Sequence, residues 1–230
     1  MPKLTTPPPS IHEAAIEHFA VRGESDAVLN AMASAMLAAR QAAERAAEIA
    51  AAFRADPNLP DEGRHRRIRV ETRKAIAPGL AAIDNAHGRV VGEIGRIAEA
   101  IAAPKPPNTT REHFQELAIL QRLGSMTPSE RKTTVAAALK AGDDAVLGAI
   151  LNNSALVSGM SEVEINQLRA SYARQRHPEA SARLERLQKA REALLRGHTA
   201  AEGFVAGLYD KAKADAAEAA AQRTAAVLAK

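Results

Sequence analysis

Asp26–Phe53 reads DAVLNAMASAMLAARQAAERAAEIAAAF. Val28, Ala35, Ala42 and Ile49 recur at seven-residue spacing, and Met32, Ala39, Ala46 and Phe53 form a second row. This 3-4 repeat is helical, and its small side chains let a partner helix come close. The partner is the next periodic stretch. Ile76, Leu80, Ile83, Val90, Ile94, Ile97 and Ile101 continue the repeat, with His87 at the missing position. Asp56-Pro57 and Leu59-Pro60 end the first helix and make a tight corner. Two long helices joined by so short a loop predict an antiparallel hairpin, with the Val28–Phe53 face against Ile76–Ile101. Pro78 lies inside the second helix and is expected to kink or split it.

Outward from this hairpin, the rest of the chain also reads as helix, and the fold class is all-α. Pro7, Pro8 and Pro9 predict an extended arm over residues 1–10, a candidate contact for a partner. Ser10 and Glu13 form a capping box for a helix at Ile11–Val21, Gly23 breaks it, and Ser25 caps the long alanine helix. Residues 11–103 make the hairpin region and 104–109 a linker. Residues 110–176 hold short helices. Thr127-Pro128-Ser129-Glu130 and Ser161–Glu164 are capping boxes, Gly142 ends one helix, and Asp143 or Asp144 starts the next. Val146, Leu147, Ile150, Leu151, Leu156, Val157 and Met160 read as the apolar side of a small folded knot. Residues 177–230 predict one long C-terminal helix with a stripe of Leu184, Leu187, Leu194, Val205, Leu208 and Ala212. No proline follows Pro178, so it could run to Ala229, about 75 Å at about 1.5 Å per residue.

Composition narrows the functional classes. The 230 residues are 46% hydrophobic but only 3% aromatic, without Trp or Cys. A core of Ala, Leu, Ile, Val and Met must rest on many close contacts, which suits oligomerisation. Without cysteine there is no disulfide, thiolate zinc site or cysteine nucleophile. No apolar run is long enough for a membrane span. The net charge of +4 permits an acidic partner without demanding one.

Three groups stand out. Arg64, Arg66, Arg67, Arg69, Arg73 and Lys74 are the densest basic cluster, and a candidate contact for phosphates or an acidic partner. They wrap most of a helix instead of forming a stripe, and Asp61, Glu62 and Glu71 offset them. Nucleic acid is therefore the less favoured partner. Gly88 with Gly92, and Gly203 with Gly207, are spaced for close helix packing, within the chain or between subunits. The histidines show no metal-ligand spacing; His198 and Glu202 share a face but are too few for a closed site. No hydrolase, phosphate-loop or dinucleotide motif appears. The expectation is a non-enzyme without cofactor or metal.

Leu117–Ala190 carries a cadence of "MTPSER", "ALKAGDDAVLGAIL" and "LVSGMSEVEINQLRASYARQRHPE", followed by a long charged helix. This third of the chain resembles a group of uncharacterised helical structural and morphogenesis proteins of tailed bacteriophages. The resemblance implies a virion component, assembled in the host cytoplasm, whose partners are copies of itself and other virion proteins. It points to the portal, the head–tail junction or the capsid interior. A scaffolding chaperone that leaves the particle and a nucleic-acid-binding packaging factor are the alternative readings.

Overall fold

The computed structural model describes residues 6–228, and every regular element among them is helical. A 3-10 turn (Pro9–Ile11) precedes ten α-helices: α1 (Ala14–Glu17), α2 (Ala27–Ala55), α3 (Asp61–Ala100), α4 (Thr110–Ser125), α5 (Pro128–Ala141), α6 (Asp144–Leu151), α7 (Ala155–Ser158), α8 (Glu162–Arg176), α9 (Pro178–Ala206) and α10 (Lys211–Leu228). The chain divides into two compact units, Met1–Glu93 with Arg186–Lys230, and Ile94–Glu185. The segment expected as a linker, 104–109, falls inside the second unit.

In the first unit α2 buries more of itself than its two expected rows. Met32, Ala39 and Ala46 are fully buried, as is a third row, Leu29, Met36, Ala43 and Ala50. Of the Val28 row only Ala35 is buried; Val28, Ala42 and Ile49 are half-buried, as is Phe53 at the end of the Met32 row. The buried face is therefore centred on Met32/Ala39/Ala46 and reaches to the Leu29 row. Two other helices approach it closely. A methyl group built on Gly79 of α3 would lie 2.7 Å from the Ala39 Cα, and one on Gly197 of α9 would lie 2.5 Å from the Met36 Cε. α9 presents its own seven-residue rows, Leu187, Leu194 and Ala201, and Ala190, Gly197 and Phe204, all buried, and the buried Leu208 lies just past its end. Leu184 is half-buried and Ala212 exposed, so neither belongs to that stripe's core.

Several local expectations are corrected. The extended path ends at Pro8 (φ −67°, ψ 151°), because Pro9 enters the 3-10 turn; residues 1–5 lie outside the described residues. Ser10 sits in that turn and caps nothing, and α1 is only four residues long. Glu13, free of a capping role, takes the Arg40 guanidinium on both carboxylate oxygens at 3.0 and 3.1 Å. The cap of α2 is Asp26, whose carboxylate accepts from the Val28 and Leu29 N–H groups, while Ser25 accepts from the Asn30 amide. α3 runs unbroken through Pro78, which is exposed. The last helix does not run through: Gly207–Asp210 separates α9 from α10.

The second unit follows its sequence signals more closely. Thr109, Thr127 and Ser161 each close a full capping box with Glu112, Glu130 and Glu164. The reciprocal bonds hold all three glutamates below the usual carboxylate range: the backbone N–H of Asn108 leads for Glu112, the Thr127 hydroxyl for Glu130 and the Ser161 N–H for Glu164. Gly142 closes α5 in the left-handed region (φ 69°), and Asp143 caps α6. The core is Leu123, Val135, Ala138, Leu147, Ile150, Leu151, Ile165, Leu168 and Tyr172. Leu156 and Val157, expected in this knot, are instead exposed. Arg131 locks the loops around the core by donating to the Leu123, Met126 and Gly159 carbonyls.

Candidate interaction surfaces

The basic cluster on the N-terminal half of α3 divides into two groups. Arg64 is spent on the α2–α3 corner, donating to the Asp56 and Leu59 carbonyls at 3.1 and 2.8 Å. Arg66 and Arg69 are one helical turn apart and face α10. Arg66 Nε donates to Glu218 at 2.6 Å, and Arg69 Nη1 to Asp215 at 2.5 Å. Arg69 Nη2 lies 3.5 Å from Glu218 as well. On the same side Lys213 of α10 donates to Asp61, and the His65 ring accepts from the Asp210 N–H at 3.0 Å. These contacts set the charges of the groups. The Arg66 hydrogen bond holds Glu218 below the usual carboxylate range, and Lys213 does the same for Asp61. In return Glu218 raises Arg66 and Asp61 raises Lys213.

Arg67, Arg73 and Lys74 remain exposed. Arg67 borders an open groove with Ile49, Phe53 and Val70, and Arg73 borders another with Ile76, Leu80, Glu202 and Tyr209. The six basic residues are thus not one phosphate-binding face. Arg66 and Arg69 take their counter-charges from Asp215 and Glu218, about 150 positions away in sequence, while of the neighbouring acids Asp61 lies 3.9 Å from Arg64. The sequence carried one signal of this pairing: an acid pair spaced i, i+3 in an alanine background, matching Arg66 and Arg69.

Three of the four spaced glycines make no close contact within the chain. A methyl group on Gly88, Gly92 or Gly203 would meet no neighbour within 4 Å beyond its own helical turn. Gly207 ends α9 and is exposed. In-chain close packing uses Gly79 and Gly197 instead, neither of which has a glycine partner four residues away. Pro7 and Pro8 are half-buried and Pro9 is exposed.

The second unit has its own surface. Phe114, Leu117, Leu156, Val157 and Val163 are each at least half exposed, Leu156 at 92%. An open groove of about 430 Å³ runs between α5 and α8, with Val135, Leu139, Met160 and Leu168 on its floor and Lys132 and Gln167 at its edge. Among the described residues no three His, Asp or Glu side chains gather as a metal site. His198 lies 3.6 Å from both Asp84 and Glu202. No helix among them is long and apolar enough to cross a membrane. Compared with known families, curated proteins and solved structures, the chain has no match.

Proposed function

We propose that this chain is a non-enzymatic structural protein of a tailed-bacteriophage particle, acting in several copies near the portal, the head–tail junction or the capsid interior. One observation carries the reading. The segment that resembles phage morphogenesis proteins, with the turn of α4 just before it, exposes Phe114, Leu117, Leu156, Val157 and Val163. Burying such side chains is worth about 1.5–3 kcal/mol each, so a surface rich in them suits a protein partner. Engagement of Arg64, Arg66 and Arg69 within the chain leaves Arg67, Arg73 and Lys74 for an acidic partner, and weighs against a nucleic-acid-binding packaging factor.

The same reading takes α2 and α3 as an antiparallel hairpin within the particle protein. Its support is a set of neighbours whose numbers run in opposite directions: Phe53 and Ile49 beside Arg67 and Val70, Ala39 beside Gly79, and Ala31 and Ala35 beside Ala86 and Arg89.

Quantitative mass spectrometry of purified particles tests the function. A structural part is expected at fixed stoichiometry in mature particles. Presence in precursor heads and loss on maturation would instead establish the scaffolding chaperone. Absence from both would remove the proposal.

A further inference from the structure

α10 is attached to its own unit mainly through charge. Among residues 211–227 only Ala214 is buried; Ala217, Glu218 and Ala221 are half-buried, and the rest are exposed. Side chains bind it to α3 through Lys213–Asp61, Arg69–Asp215 and Arg66–Glu218, with Arg69 also on the Ala214 carbonyl at 3.4 Å and 3.5 Å from Glu218. Ion pairs open to solvent on at least one side, as these are, are individually weak and screened by salt. An alanine-rich helix of this length is also marginal on its own in water. The docked position of α10 therefore rests on a small electrostatic match.

The bend that allows this docking is held by a local cap, in which the Asp210 carboxylate accepts from the Lys213 N–H at 3.2 Å, and by contacts from elsewhere in the unit. Gly207-Leu208-Tyr209-Asp210 contains no proline, and its glycine still donates to the Gly203 carbonyl at 3.0 Å, as in a continuing helix. Helical bonding resumes where Ala214 N–H donates to the Asp210 carbonyl at 3.0 Å. Besides that cap, the chain is kept bent by burial of Leu208, the Arg54 guanidinium on the Leu208 carbonyl, and His65 on the Asp210 N–H. Gly207 and the Asp210 cap favour a break here, but no proline forbids one continuous helix once these contacts are released, with α10 projecting away from its own α3.

We propose that α10 is an exchangeable arm: docked on its own α3 in an isolated chain, it docks in the same register on α3 of a second copy when chains assemble. The receptor is Asp61, Arg66 and Arg69, and the ligand is Lys213, Asp215 and Glu218 of the neighbour. The contacts between α10 and α3 made within one chain are remade between two, while those that hold the bend at Leu208 and Asp210 are exchanged for the backbone bonds of a continuous helix. Once one arm has crossed, the second docks at high effective concentration. The inference deepens the self-association in the proposed function, but it concerns the purified chain. Particle composition can fail as a test while arm exchange succeeds, and the reverse.

Charge reversal in two chains separates the alternatives. The variant R66E/R69E repels its own α10, and D215R/E218R repels its own α3. Mixed, each offers what the other needs. Each variant alone is expected to be monomeric by native mass spectrometry, with α10 amides exchanging at least about tenfold faster than in the unaltered protein. The mixture is expected to give a 1:1 heterodimer in which α10 protection returns. The single chain R66E/R69E/D215R/E218R, with both sides reversed, controls for folding and is expected to keep α10 protected. A mixture that stays monomeric with α10 unprotected overturns the proposal. So does either variant pairing with itself as readily as with the other, or an α10 that stays protected in the single-side variants.

Discussion

At the scale of single residues, the glycines separate what spacing suggests from what packing requires. Gly79 faces the Ala39 backbone, which cannot step aside, whereas Gly197 faces the flexible end of Met36. Gly79→Ala is expected to destabilise the protein by about 1–3 kcal/mol. Gly92→Ala, in open helix surface, is expected to stabilise it by up to about 1 kcal/mol through helix propensity. Urea unfolding midpoints of the two variants check both signs; equal shifts would refute the distinction. If Gly92→Ala stabilises the isolated chain yet weakens its association, the Gly88–Gly92 spacing belongs to contacts between subunits. Sequence could not reveal Gly79 or Gly197, because a lone glycine in a helix looks like a propensity defect until the facing backbone is known. The Leu29/Met36/Ala43/Ala50 row escaped for a related reason. In a helix this rich in alanine, almost every seven-residue row is small and apolar, so periodicity does not choose among them.

At the scale of elements, helix ends were legible where a side chain and its target lie within one turn. Thr127, Gly142, Asp143 and Ser161 all act as their residue types and spacing dictate. Thr127→Ala and Ser161→Ala are each expected to cost about 1 kcal/mol of stability. Thermal or urea unfolding reads this, and a loss below about 0.3 kcal/mol in both would mean that the boxes do not hold the second unit. The errors at Ser10 and Ser25 have local causes. Pro9 fixes a 3-10 turn that absorbs Ser10, and Asp26, one residue on, offers a carboxylate to two N–H groups where Ser25 offers one hydroxyl. Pro78 costs α3 one backbone hydrogen bond without ending it. Its exposed position leaves the Lys74 carbonyl, which loses its helical donor, on a face open to water. Helix breaks made by distant contacts were not legible. The Gly207–Asp210 bend has a local part, the Asp210 cap on the Lys213 N–H, and a distant part, Arg54 and His65, about 145–154 positions earlier in the chain.

At the scale of the molecule, the all-α class was legible because no stretch alternates in the two-residue period of a strand, and long 3-4 repeats dominate. The candidate surfaces were only half legible: the basic residues are visible in sequence, but their acidic partners on α10 come from folding. That partnership makes the docking of α10 sensitive to salt and pH in a direction the charges determine. Raising salt from 0.1 M to 1 M shortens the screening length from about 10 Å to about 3 Å and is expected to release α10 before the buried rows of α2, α3 and α9 unfold. For pH, the groups in play are Asp61, His65, Arg66 and Arg69 on α3, Asp210, Lys211, Lys213, Asp215 and Glu218 on or beside α10, and Arg54 nearby. Asp61 and Glu218 have lowered values when docked, each through its hydrogen-bonded cation. Their contribution is fully present above the ordinary carboxylate range and is lost as pH falls through the lowered values. Lys213 and Arg66 have raised values, so their contribution is present below the ordinary values and is lost only as pH rises through the raised ones. Through these carboxylates docking is therefore expected to fail on the acid side. Amide chemical shifts of Ala214 and Ala217 in an acid titration follow it directly. They should move toward undocked positions while signals from Ile76 and Ile83 hold, and Glu218→Gln should weaken docking at neutral pH and flatten the acid transition. If α10 and the Ile76–Ile83 core are lost in one step at every salt concentration, α10 is an integral part of the fold and not a separable arm.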